Sequence, residues 1–187
     1  EDRWSIVLAE SALTLYVKGY TTIEDLLPRF QLATEAPKKH LGIEERARLG
    51  LRYVNELRRP EGEGRTLQEW RPYLRDELLG FPASDLMPEA QVSHMVQEVR
   101  FTREDGTFVV RQGLLQGTPV TDPTSARPAG PFYLLDFDYF EQRDVPLDPQ
   151  ALTRQLKQYN ETMVRFFVWC CSDLLLGEFG RTDAKRR

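Results

Sequence analysis

Apolar and polar positions alternate with period two at the start of the chain. In WSIVLAESALTLYV (residues 4 to 17), Ile6 and Leu8, then Leu13, Leu15 and Val17, alternate with other residues around Ala9-Glu10-Ser11-Ala12, which predicts a β-hairpin. The period then becomes helical. Thr22 with Asp25 three residues on approximates a capping box, and Ile23, Leu26, Leu27 and Phe30 fall on one face. Pro28 lies in the first turns, where it is tolerated, and Pro37-Lys38-Lys39 predicts the end of the helix.

Alternation returns in ARLGLRYVNELRR (47 to 59). Leu49, Leu51, Tyr53, Asn55 and Leu57 share one face, and Gly50, Arg52, Val54 and Glu56 share the other. Thr66 and Glu69 form a second capping box, predicting a helix to about Leu79 with Leu67, Trp70, Leu74 and Leu78 on its apolar face and Gly80 at its C-terminal cap. HMVQEVRFTREDGTFVVRQGLL (94 to 115) holds two alternating runs around Glu104-Asp105-Gly106, a hairpin turn that exploits glycine's access to positive φ. Residues 116–131, rich in Gly, Pro, Ser and Thr, predict a long mobile loop. A strand follows over Phe132 to Phe140. Asp148 as N-cap and Pro149 as first helical residue then open a long helix, with Leu152, Leu156, Tyr159, Met163, Phe166, Cys170 and Leu174 at three-to-four spacing and its end at Gly177 or Gly180.

This order predicts an α+β fold on a mainly antiparallel sheet, with helices on one face and a long C-terminal helix. One domain over 1–180 and a disordered basic tail over 181–187 are expected. The second half of the long helix is apolar nearly all round (Val164, Phe167, Val168, Trp169), so it must be covered on more than one side, by core or by a partner.

Of the 187 residues 41% are hydrophobic and 29% charged, a globular composition. The 25 basic and 29 acidic residues leave a net charge of −4, which weighs against a general nucleic-acid binder. Cys170 and Cys171 are adjacent and point apart on a helix, so they read as two small buried hydrophobes in a reduced, cytoplasmic setting. The most apolar run, residues 163 to 171, contains Arg165 and falls far short of the ~20 residues a bilayer span requires. The chain opens at Glu1 without an initiator methionine, which suggests a fragment or a processed chain.

Candidate chemistry centres on YLLDFDYF. On a strand, Asp136 and Asp138 share a face, opposite an apolar face of Tyr133, Leu135, Phe137 and Tyr139. The acidic face is expected to be outer or partly exposed. With Glu98 or Glu56 from neighbouring strands, the pair could serve a metal-dependent nuclease or phosphoesterase. The plainer expectation is an ion pair between Arg52 and Asp136 or Asp138 that fixes strand register. His40 and His94 have no nucleophile context, and neither the P-loop nor the G-x-G-x-x-G pattern occurs. No cofactor is expected. Arg58, Arg59 and the basic tail are the candidates for a nucleic-acid contact, a weaker reading. Phe167 and Trp169 are the candidates for a protein-binding face.

Taken in order, RWSIVLAESALTLYVKGYTTIEDLLPRF, ARLGLRYVNEL, YLLDFDYF and the helix ending in CCSDLLLGEFG resemble a prokaryotic family known only as the sporadically distributed proteins, whose function is unknown. The resemblance runs over nearly the whole chain. The motifs that carry it are L-R-Y-V-N (Leu51 to Asn55), L-D-F-D (Leu135 to Asp138) and Ser172-Asp173, so that Arg52, Tyr53, Asn55, Asp136, Asp138 and Asp173 form its structural signature. It implies a further N-terminal strand segment, which this chain lacks, and an accessory role in defence or mobile-element systems. It implies no catalytic residue. The expected function is thus a non-enzymatic protein–protein interaction or regulatory module, with a protein partner or a second copy and no membrane.

Overall fold

A computed structural model describes residues 4–83, 91–92, 94–117 and 130–180. Most of the expected loop over 116–131, and the whole tail over 181–187, lie outside the described residues. Strands and helices follow the order the alternation predicts. They are β1 (Trp4–Ala9), β2 (Ala12–Val17), α1 (Ile23–Leu41), β3 (Glu45–Leu57), α2 (Leu67–Trp70), α3 (Asp76–Leu79), β4 (Gln97–Arg103), β5 (Gly106–Gln116), β6 (Pro131–Pro146), α4 (Pro149–Cys170) and α5 (Asp173–Glu178). The fold is α+β. The first hairpin forms a sheet of its own, β1-β2, and does not join the larger one, whose order is β3-β6-β5-β4.

The chain packs as two units, Glu1–Leu51 with Phe140–Thr162 and Arg52–Tyr139 with Met163–Arg187, and β3, β6 and α4 contribute to both. In the first unit, Thr22 caps α1 as its spacing predicts, its hydroxyl accepting from the Asp25 amide at 3.2 Å. The helix does not stop at Pro37. It runs to Leu41, with Pro37 buried, and ends where Gly42 takes φ 66° and returns its N–H to the Pro37 carbonyl. Leu152, Leu156 and Tyr159 of α4 are buried in this unit, as are Leu49 and Leu51 of β3. A polar knot sits beside them. Arg46 Nη2 donates to Glu141 Oε2 at 2.7 Å and to Gln155 Oε1 at 3.1 Å, while Gln155 Nε2 donates to Glu141 Oε2 at 3.1 Å and to Tyr159 Oη at 2.7 Å.

The second unit is built on aromatic packing. Phe108 of β5 and Phe137 of β6 each meet Phe166 of α4 edge-on at 5.4 Å between ring centres. Trp70 of α2 is fully buried against Tyr133 on the same face of β6, and its indole N–H donates to the Gly64 carbonyl at 3.0 Å. Helices therefore cover the face carrying Tyr133 and Phe137, as the alternation requires. The second hairpin turns at the expected place: Arg103 pairs with Gly106, so Glu104 and Asp105 form the loop and Gly106, at φ 143°, opens β5.

Two expected helices are each broken in this unit, and the two broken segments meet at one bridge. The helix from Thr66 stops at Trp70, because Pro72 has no N–H for a helical bond and its ring would crowd the preceding turn. Leu74 instead makes an antiparallel bridge with Cys171. Around it, the Arg75 amide donates to the Cys170 carbonyl at 3.1 Å and the Ser172 amide to the Tyr73 carbonyl at 2.8 Å. The long C-terminal helix thus ends at Cys170, short of Gly177, and a new one starts at Asp173 with Ser172 as its cap. Both cysteines are buried and free.

Candidate functional site

The hairpin and α1 leave apolar surface between them. Trp4, Ile6, Leu8, Leu13 and Leu15 line one wall of an open slot, and Leu32, Ala33, Ala36, Pro37 and Leu41 line the other, enclosing about 650 Å³. Alternation puts the first group on one face of the β-ribbon, and helical spacing puts the second on one stripe of α1. The walls are not closed against each other. Leu32 is 70% exposed, Leu41 59%, Leu8 57% and Ile6 56%. Among the described residues, Arg29 and His40 are the only ionisable side chains lining the slot, and the Arg29 guanidinium sits 4.6 Å above the Trp4 ring. Chemically the slot offers burial, not bond-making. A two-stranded ribbon is marginal in water by itself, and contiguous exposed apolar surface marks an interaction site.

The acidic pair on β6 lies in the second unit, in a different setting from the one expected. Asp136 is only 2% exposed. Arg52 of β3 grips it with both prongs, Nε to Oδ1 at 2.8 Å and Nη2 to Oδ2 at 2.6 Å, and Arg111 of β5 approaches Oδ2 at 3.6 Å. The two guanidinium groups cover the carboxylate, which is why it is buried rather than outer; Asp138, on the same face, is half-buried. Arg111 also donates to Glu98 of β4 at 2.6 Å, and Glu98 takes Arg100 at 2.8 Å. The hydrogen bond from Arg100, then the one from Arg111, holds the Glu98 carboxyl below its ordinary value despite some desolvation. Arginines and carboxylates thus alternate across all four strands. Glu56 is occupied in the same way by Arg58 at 3.1 Å. Among the described residues, no group of three or more His, Cys, Asp or Glu side chains is placed to hold a metal ion. Both oxygens of Asp136 and both of Glu98 are bonded to guanidinium groups, so the array ties strands together. Asn55 adds to it, its Nδ2 donating to the Leu135 carbonyl at 3.0 Å.

Asp136→Asn is expected to lower stability by about 2 kcal/mol, the cost of leaving Arg52 and Arg111 without their shared charge. The drop should shrink in an Arg52→Leu background. Urea unfolding of the four members of that cycle measures it, and additive effects would show that the pair is not coupled.

The other anticipated residues are more occupied than their sequence suggests. Arg58 lies over the Phe132 ring at 4.7 Å. Arg59 donates to Glu178 at 2.6 Å and to the Tyr73 hydroxyl at 2.9 Å. Phe167 is half-buried against Phe179, and Trp169 is exposed beneath the Arg75 guanidinium. Asp173 opens the first turn of α5. The apolar surface anticipated on the late part of α4 is therefore partly consumed internally, with Met163 and Cys170 fully buried. The hairpin slot was not anticipated. Its signal was present: Ile6-Val7-Leu8 is apolar on both faces of β1, and Leu32 lies opposite the Ile23-Leu26-Leu27-Phe30 stripe.

No family model, no curated protein and no solved structure matches the chain significantly. No helix among the described residues is long and apolar enough to cross a membrane.

Proposed function

We propose that this chain is a non-enzymatic protein–protein interaction module that docks through the slot between the β1–β2 ribbon and α1. The observation behind this reading is the concentration of exposed Ile6, Leu8, Leu32 and Leu41 around one open apolar slot. The acidic pair supports it indirectly, since Asp136 and Glu98 are engaged by arginines instead of standing ready for catalysis. An accessory or regulatory role in a prokaryotic defence or toxin-like system is the setting that the motif resemblance suggests. A cytoplasmic location belongs to the same proposal.

The test is the mass of the chain in solution, alone and mixed with the product of the neighbouring gene. Association is expected in at least one condition, and Leu32→Asp is expected to abolish it. Leu32 is largely exposed, so the substitution should shift stability by no more than about 0.5 kcal/mol. A chain that stays monomeric in both conditions overturns the reading.

A further inference from the structure

The β1–β2 ribbon has an edge that nothing in its own sequence protects. Edge strands are ordinarily blunted by lysines, inward charges, prolines, bulges or a covering element. β1, Trp4-Ser5-Ile6-Val7-Leu8-Ala9, carries none of the first three, and its register with β2 is unbroken from Trp4 to Ala9. Among the described residues, β1 pairs with β2 alone. The helix covers β1 only at its start: α1 lies mainly against β2 and places Arg29 over the Trp4 ring, while Ile6, Val7 and Leu8 each stay half-exposed or more.

We propose that β1 is the seam of a two-fold homodimer, in which the free edge of β1 pairs antiparallel with β1 of a second copy. This rests on the interaction reading above and names its partner. A two-fold axis normal to the ribbon keeps the same face of both hairpins on one side. The joined sheet, β2-β1-β1-β2, therefore carries both α1 helices on one face. Each α1 sits over its own β2, so the space above the two β1 strands lies between the helices. Leu32 and Leu41 from each copy line that space from above, and Ile6 and Leu8 from each copy line it from below. Two half-open slots become one closed apolar layer, and every strand but the outer pair gains a neighbour on both sides.

One further observation, the area, favours a second copy over a foreign strand. Ile6, Leu8, Leu32 and Leu41 leave on the order of 400 Å² of apolar surface uncovered, about half of the ~800 Å² that each partner gives to a standard interface, and a second copy brings an equal apolar patch to meet it. Pairing of the two β1 edges adds backbone contact.

The experiment is sedimentation or light scattering of the full chain at tens of micromolar, with two lysine substitutions. Val7 and Tyr16 both point away from the slot and are both half-exposed, but only Val7 lies on β1. The wild type is expected at twice the 21.7 kDa chain mass, Val7→Lys at the monomer mass and Tyr16→Lys at the dimer mass. A monomeric wild type overturns the proposal, and so does a dimer that Val7→Lys leaves intact. If circular dichroism shows Val7→Lys unfolded, Val7→Cys with a short bismaleimide reads the same seam. Cross-linked dimer supports it and uncross-linked chain overturns it; the wild-type chain, whose Cys170 and Cys171 are buried, is the control. A monomer that gains mass only with the neighbouring gene's product overturns the dimer and leaves the interaction reading standing. A monomer that binds nothing overturns both.

Discussion

Glu141→Gln is expected to cost about 3 kcal/mol of folding stability at neutral pH, because it strands a buried guanidinium without its counter-charge. Glu141 is buried and the Arg46 side chain is mostly so, and Nη2 is the guanidinium nitrogen through which Arg46 bonds to Glu141 and Gln155. Arg46 Nε and Nη1 find no hydrogen-bond partner among the described residues. Little is left to compensate the charge once the carboxylate is gone. The pH dependence has a definite sign. Burial pushes the Glu141 carboxyl up, but hydrogen bonds from Arg46 and Gln155 and the charges of Arg143 and Arg46 outweigh it, so its pKa lies below the ordinary value. A carboxyl depressed in the folded state contributes fully above the unfolded value of about 4.3, and the contribution disappears as pH falls through the folded value. The wild type should therefore lose stability in that acid window, and the gap to Glu141→Gln should close there. Urea midpoints at neutral pH and at progressively lower pH measure both. Equal midpoints at neutral pH would refute the account.

Gly113→Ala is expected to be as damaging or worse, at about 4 kcal/mol or outright failure to fold. A Cβ at position 113 would stand 1.9 Å from the Met95 carbonyl oxygen and 2.7 Å from its carbon. Both are backbone atoms, and the segment is anchored by the Met95 amide donating to the Leu114 carbonyl at 2.9 Å. No rotamer change relieves such a clash, so β5 or the approach to β4 would have to shift. Gly50→Ala is the control. A Cβ there meets only the flexible end of Arg48, and the cost should stay below about 1 kcal/mol. Soluble yield and thermal unfolding of the two variants distinguish them; comparable stabilities would remove the steric argument.

Much of the architecture was legible in the chain because it is encoded in neighbours. Thr22 caps α1 from three residues away, and Glu104-Asp105-Gly106 turns the second hairpin on itself. The pairing of Arg52 with a carboxylate of β6 was anticipated as well, since alternation already placed both groups on strand faces of matching parity. Harder to read was which of those groups would be buried. Asp136 occupies an outward alternation position, yet it is sealed because two arginines converge on it from different strands.

The period-two and period-3.6 patterns by themselves determined the α+β class, the order of strands and helices, and the apolar face of β6. These depend on backbone geometry within a dozen residues. Only the tertiary structure decided where the helices break, and which apolar surface stays open. The bridge between Leu74 and Cys171 joins residues far apart in the chain, and it exchanges helical hydrogen bonds for cross-chain ones that no local pattern announces. The slot beside β1 arises likewise. Leu8 reads as core by alternation and Leu32 lies off the apolar stripe of α1, and the exposure of both depends on how far apart the ribbon and α1 come to rest.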